Sequence, residues 1–203
     1  MLGEVRDIFQ MPVFFASGYE LSNAQIEHVK NLRYGPNEGN SMSLSMDVLR
    51  DPIFRQLSNY IDNCVAEYVH DNMGIAHAVE FHIASSWSNI NKPGEHHHRH
   101  RHKNSVINGV MSFTEGNVLS FAADVLKIFP DWTFPYFKQT KYSDNYDFDI
   151  EMNVGDMVLF SSQMIHYVKP NTRKEDRLSV AFNTMVGGEI LMNTPNKLNM
   201  SVH

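Results

Sequence analysis

Cysteine is almost absent from these 203 residues: Cys64 stands alone, so no intrachain disulfide can form. Long apolar runs are missing too. Stretches such as Val158-Leu159-Phe160 fall far short of the roughly 20 residues that cross a bilayer. The opening MLGEVRDIFQ carries charge where a secretory leader needs an apolar run, and with the lone cysteine this leads us to expect a reducing cytoplasm and no membrane partner. Basic excess is lacking as well. Lys and Arg number 17 against 23 Asp and Glu, a formal charge of -6, so no overall field draws the chain onto nucleic acid. What is plentiful is apolar residue, at 42%, enough for one full core, and histidine: of 11, five lie between His96 and His102.

No repeat and no Pro/Ser linker divides the chain, so the expectation is one domain over 1–203, with a helical part at 1–77 and a strand-rich core at 78–203. In 21–33, Leu21, Ile26, Val29 and Leu32 share a helical face behind a Ser22 or Asn23 cap. Asp51-Pro52 supplies a cap and first-turn proline for a second helix whose apolar residues recur from Ile53 to Tyr68, ending near Gly74. From Ala78 onward the segments VEFHIASSWSNI, SVINGVMSF, NVLSF, GDMVLFSS, HYVKP and RLSVAFNTMV are short, β-branched and aromatic, and separated by turn residues. This order predicts an α+β protein whose N-terminal helices buttress a sandwich or short barrel. Residues 122–146 read as a long insertion whose Trp132, Phe134, Tyr136, Phe137 and Tyr142 suit a lid or a packed loop.

The run Gly94-Glu-His-His-His-Arg-His-Arg-His102 leads into a strand-like segment. Residues two apart on a strand face one side, so His100 and His102 are expected to project together and to share an ion with His166, the histidine of a later strand. A solvated His/Arg loop that picks up stray metal has the same composition. Eleven residues after His166 comes Arg177-Leu-Ser179-Val-Ala181-Phe-Asn183, in which Arg177 and Ser179 fall on one strand face. A guanidinium beside a hydroxyl suits a carboxylate, although Arg177 also has Glu175 and Asp176 as local surface partners.

Together these pieces resemble the Fe(II)/2-oxoglutarate-dependent oxygenases related to prolyl hydroxylases, including the small forms of marine bacteria and their phages. The resemblance rests on the order of Ile8-Phe-Gln-Met-Pro-Val13, the helix at Asp51-Pro52, Trp87-Ser-Asn89, Gly94, His100-Arg-His-Lys-Asn-Ser105, Gly109-Val110, Gly155-Asp-Met-Val-Leu-Phe-Ser161, His166 and Arg177 to Asn183. It implies a double-stranded β-helix, the cupin-like jelly roll, with His100 and His166 as catalytic and metal-binding residues, to which the two-residue spacing adds His102, and with Arg177 and Ser179 holding the distal carboxylate of 2-oxoglutarate. It further implies Fe(II) and O2, and oxidative decarboxylation of 2-oxoglutarate to succinate and carbon dioxide coupled to hydroxylation of a peptide, protein or small molecule. A homodimer is compatible with it.

The family usually places Asp or Glu two residues after the first histidine, and here stands His102. An all-histidine triad answers this. Otherwise the third position falls to water or to a carboxylate such as Glu95 or Glu115, with His98 the alternative imidazole after a register shift. Asn89, Asn91 and Asn183 are available as hydrogen-bonding groups in the mouth. Two other readings remain: a three-histidine cupin-type oxygenase without 2-oxoglutarate, for which a downstream Glu is absent, and a non-catalytic metal-binding jelly roll.

Overall fold

In a computed structural model the described residues are 4, 10–122, 138, 140, 141, 146–190 and 198–200. Their strands are β1 (Phe14–Ala16), β2 (Tyr34–Pro36), β3 (Ser41–Ser43), β4 (Val79–Asn91), β5 (His97–His100), β6 (Ile107–Ser112), β7 (Asn117–Ala122), β8 (Asp147–Met152), β9 (Met157–Ser161), β10 (His166–Val168), β11 (Arg177–Ile190) and β12 (Leu198–Met200). Helix α1 spans Asn23–Lys30 and α2 spans Arg55–Ala66. The main sheet runs β1-β9-β6-β11-β4-β3-β2, with β12 added to β11, and the smaller sheet runs β5-β10-β7-β8.

The chain alternates between the two sheets. It passes β4 (main), β5 (smaller), β6 (main), β7 and β8 (smaller), β9 (main), β10 (smaller) and β11 (main), with antiparallel pairing throughout. That path is the double-stranded β-helix, and the expected fold is the one found.

Period-two alternation explains why the main sheet is apolar on both faces. Met157 and Leu159 of β9, and Leu178, Val180 and Phe182 of β11, join the cluster that packs against Phe54, Leu57, Ile61 and Val65 of the helical layer. Val158, Phe160 and Ala181 point the other way, into the layer between the sheets with Trp87, Leu119 and Phe121. On β11 this leaves Arg177, Ser179, Ala181 and Asn183 facing inward.

The helices are shorter than their periodicity suggested. Ser22 caps α1 with a full capping box to Gln25, but α1 ends at Lys30, before Leu32. Asp51 accepts from the Ile53 amide and Pro52 opens a 3-10 turn ahead of α2, whose continuation to Asn72 is π-helical. The expected helical first third also contains β1, β2 and β3. These are three-residue strands, too short for an alternation to show in sequence. The acidic strand β8, just past the expected insertion, is a further strand that the sequence did not mark; its buried side chains are few because it forms the sheet edge. Most of the expected insertion at 122–146, including all five aromatics proposed for a lid, lies outside the described residues. Among the described residues, no helix is long and apolar enough to cross a membrane.

Candidate active site

Four strands bring the site residues together. On the smaller sheet His166 of β10 sits opposite His100 of β5, and opposite Phe121 of β7 on its other side. The β5–β10 register slips by one residue, so that His166 pairs with His100 but Val168 pairs with His97. This bulge turns His97 and His100, three residues apart, to the same inward face. A register slip was anticipated as a route for His98; the slip is one residue rather than two, and it selects His97. Nothing in the HHHRHRH run signals where the bulge falls.

His102 reaches the cluster by a route different from the one expected. Strand β5 stops at His100, and the chain turns away through Asn104, whose φ is 57°, so no strand alternation aims His102 inward. Its ring is placed by neighbours instead. It packs at a tilt against the Trp87 indole, ring centroids 5.5 Å apart, and its Nδ1 lies 2.6 Å from Asn183 Oδ1. Asn183 is held in turn by its own amide nitrogen, which donates to Ser85 Oγ at 3.3 Å across the β4–β11 ladder and fixes which amide atom meets the imidazole.

The three imidazoles of His100, His102 and His166 converge, with one ring nitrogen of each within 4.8 Å of the other two. Each Nδ1 has a carbonyl acceptor: the His98 carbonyl at 2.8 Å for His100, the Met164 carbonyl at 3.1 Å for His166, and Asn183 Oδ1 for His102. A carbonyl only accepts, so each Nδ1 carries the proton and each Nε2 presents a lone pair. His100 Nε2 and His102 Nε2 are 3.1 Å apart. Two cis ligands at a metal–nitrogen bond of about 2.0–2.1 Å stand about 2.9–3.3 Å apart, depending on the angle, so this spacing fits a shared cation. Burial and mutual repulsion keep the rings neutral. Desolvation, with the facing histidines, takes His100 down to about 4, His97 to about 3 and His166 well below the ordinary histidine range, while His102 is lowered by burial against the Asn183 hydrogen bond. Neutral imidazoles are the form that binds a metal.

Arg177 lies 6% exposed and Ser179 2% exposed on the cavity wall beside the cluster. The surface alternative for Arg177 is excluded: Glu175 faces Arg173 at 3.8 Å instead. Arg177 Nη1 makes only long contacts, 3.4 Å to Asn91 Oδ1 and 3.5 Å to Ser179 Oγ, and Nε and Nη2 have no partner. Asn89 Oδ1, on the same wall, and Asn91 Nδ2, next to Arg177, are also buried without partners. Burial draws the guanidinium down to about 10, which still leaves it protonated at neutral pH. A buried cation with two idle donors is a costly arrangement unless an anion comes to it.

Among the described residues no carboxylate joins the cluster. Glu95 accepts from the Lys92 amide at 2.8 Å and Glu115 is exposed in a turn, so neither fills the third position. His98 turns toward Glu38 rather than toward His166.

Residues 85–183 match a protein-family model described as "Putative 2OG-Fe(II) oxygenase". Over those residues, just under half of its length, the chain is similar to the 2OG-Fe(II) oxygenases. Family members use Fe(II) and 2-oxoglutarate, and this chain carries a donor set suited to both. No curated protein matches the chain. Solved structures support the fold. They include HygX from Streptomyces hygroscopicus with nickel, 2-oxoglutarate and hygromycin B bound, at TM-score 0.58 and 11% identity over 86% of this chain and 82% of that one. A Pseudomonas putida prolyl-4-hydroxylase gives TM-score 0.52 and 16% identity over 84% and 92%. An oxidoreductase of the 2OG-Fe(II) oxygenase family from Burkholderia pseudomallei gives 0.55 and 11% over 85% and 83%.

Proposed function

We propose that this chain holds Fe(II) on His100, His102 and His166, with imidazole in place of the usual carboxylate, and anchors the distal carboxylate of 2-oxoglutarate on Arg177 and Ser179. The observation that carries this reading is the idle guanidinium: Arg177 is buried with Nε and Nη2 unpartnered on the wall of the cavity where three imidazoles meet. A dicarboxylic acid satisfies both features at once. A three-histidine oxygenase without 2-oxoglutarate leaves Arg177 with no task.

When bound, iron, 2-oxoglutarate and O2 supply oxidative decarboxylation coupled to oxidation of a substrate C–H bond. The protein does the rest. Asn183 and the His98 and Met164 carbonyls hold the three Nδ1 protons, which keeps each Nε2 lone pair aimed at the metal. Trp87, Phe121 and Phe160 pack around the histidines and limit water. Arg177 fixes one end of the cosubstrate by two parallel charge-assisted bonds, which sets the reach of its other end toward the imidazoles. With no carboxylate among the described residues that would hold the metal, the dianionic cosubstrate would supply the negative charge that balances it.

The product class is hydroxylation of a peptide or protein side chain or of a small molecule. The resemblance to prolyl hydroxylases favours the peptide, and a fold of this kind hosts both. We read the whole chain as one domain acting in the cytoplasm, its helical layer buttressing the main sheet.

The test is an anaerobic titration of the Fe(II) protein with 2-oxoglutarate. A weak visible charge-transfer band that is lost in Arg177→Ala supports the reading, and succinate release on admitting O2 with candidate substrates identifies the reaction. A band that survives the substitution removes Arg177 from the cosubstrate site.

A further inference from the structure

The iron reading uses two of the five clustered histidines on the 96–102 run and leaves His96, His97 and His98 without work; the last two are the ones that cluster. They are not scattered over the surface. His97, His98 and His100 bring one ring nitrogen each within 4.8 Å of one another, the same limit met by the inner triad. Their ring centroids stand 5.2, 4.4 and 5.0 Å apart, against 5.1, 4.3 and 5.0 Å for His100, His102 and His166. The two triads share His100.

His98 carries the mark of an oriented ligand. Its Nδ1 is buried with no hydrogen-bond partner, while its Nε2 faces Glu38 Oε2 at 3.6 Å. A carboxylate behind one ring nitrogen, with the other free, is the arrangement that raises ligand basicity and fixes the ring in metal sites. Glu38 is put there by the fold. The turn between β2 and β3 docks on the tract through the His96 amide, which donates to the Gly39 carbonyl at 3.0 Å. Gly39 sits at φ +88°, and a Cβ there would lie 2.8 Å from the His96 carbonyl, so only glycine lets the turn approach this closely.

We propose that His97, His98 and His100, backed by Glu38, form an outer binding site for a borderline divalent cation such as Fe(II), Co(II) or Zn(II), through which metal reaches the inner triad. Because His100 belongs to both sets, occupancy alternates, and a cation passes inward when His102 and His166 replace His97 and His98 around the shared ring. Exposure gives a direction. His98 is partly exposed and faces the exposed Glu38 carboxylate, whereas His166 is buried, so a cation arriving from solvent meets the outer set first. The inward step rests on the inner triad being the iron site, whereas the existence of the outer site does not.

Two Co(II) experiments on the full chain test this. A His102→Ala/His166→Gln variant, checked by near-ultraviolet circular dichroism, retains one visible Co(II) absorption, and adding His98→Ala weakens that binding at least tenfold; unchanged affinity on adding His98→Ala overturns the outer site. Should that double variant misfold, the second experiment stands alone. His98→Ala by itself, a change at a partly exposed ring, leaves the final Co(II)/2-oxoglutarate complex unaltered but slows metal uptake in stopped flow at least tenfold, and equal rates overturn the relay. Failure of the iron reading shows elsewhere, as absence of the 2-oxoglutarate band from the unaltered protein.

Discussion

Arg177→Leu should push stability and cosubstrate binding in opposite directions. In the ligand-free protein Arg177 is 6% exposed, its two contacts are 3.4 and 3.5 Å long, and two of its nitrogens have no acceptor. Each idle buried donor costs about 1–3 kcal/mol, and replacing a poorly compensated buried ion with an apolar side chain of similar volume is often neutral or stabilising by about 1–4 kcal/mol. Urea unfolding of metal-free, 2-oxoglutarate-free Arg177→Leu is therefore expected at equal or higher midpoint than the parent. Binding runs the other way. Two charge-assisted bonds at about 1.5–3 kcal/mol each give about 3–6 kcal/mol, and with about 1.4 kcal/mol per tenfold the Kd for 2-oxoglutarate should rise about 10²- to 10⁴-fold. The stabilisation of about 2.7 kcal/mol that the parent gains at a hundredfold excess over Kd should vanish in the variant. Calorimetric titration of the Co(II)-loaded proteins measures the second half. The reasoning is refuted if Arg177→Leu is destabilised by more than about 1 kcal/mol, or if its Kd stays within threefold of the parent.

Asn183→Ala frees the His102 ring and should weaken Co(II) binding about 10- to 100-fold with little change in the urea midpoint; an unchanged affinity means Asn183 does not orient the ligand. The metal-free protein should lose stability as pH falls. The buried histidines have folded-state values below the ordinary 6.5, with His100 near 4 and His97 near 3, so the unfolded chain binds more protons in that interval. Their contribution is complete above about pH 6.5 and is lost toward pH 4, with a slope of at most about 1.4 kcal/mol per pH unit for each histidine; a urea midpoint flat from pH 7 to 4.5 would contradict it. Gly155→Ala should be among the most damaging single-methyl changes, costing about 1–3 kcal/mol by urea unfolding. Its Cβ would lie 1.9 Å from the Tyr19 carbonyl at a φ of +84°, and wild-type stability in that variant would show that the turn before β9 has room to move.

Residue pattern alone made the walls of the site legible and left its rim obscure. The inward row Arg177, Ser179, Ala181 and Asn183 follows from strict alternation on a strand buried on both faces, where a shift of one residue would exchange a guanidinium for Leu178. His100 and His166 are paired by a ladder whose two strands could each be recognised or bounded. His102 was rightly grouped with them for the wrong geometric reason, because a strand end and the turn at Asn104 override the two-residue period. His97 was invisible because one-residue bulges depend on both strands of a pair, and sequence shows one at a time. The short strands β2 and β3 were missed for want of length, and with them went the Glu38 turn that docks against the histidine tract.

The central claim is that three imidazoles and no protein carboxylate hold the iron beside a guanidinium that holds 2-oxoglutarate. An anaerobic crystal structure of the Fe(II)/2-oxoglutarate complex measures it directly. The account predicts Nε2 of His100, His102 and His166 on the metal and the distal carboxylate of 2-oxoglutarate on Arg177; His102 turned away with a carboxylate side chain in its place, or Arg177 without the cosubstrate, contradicts it.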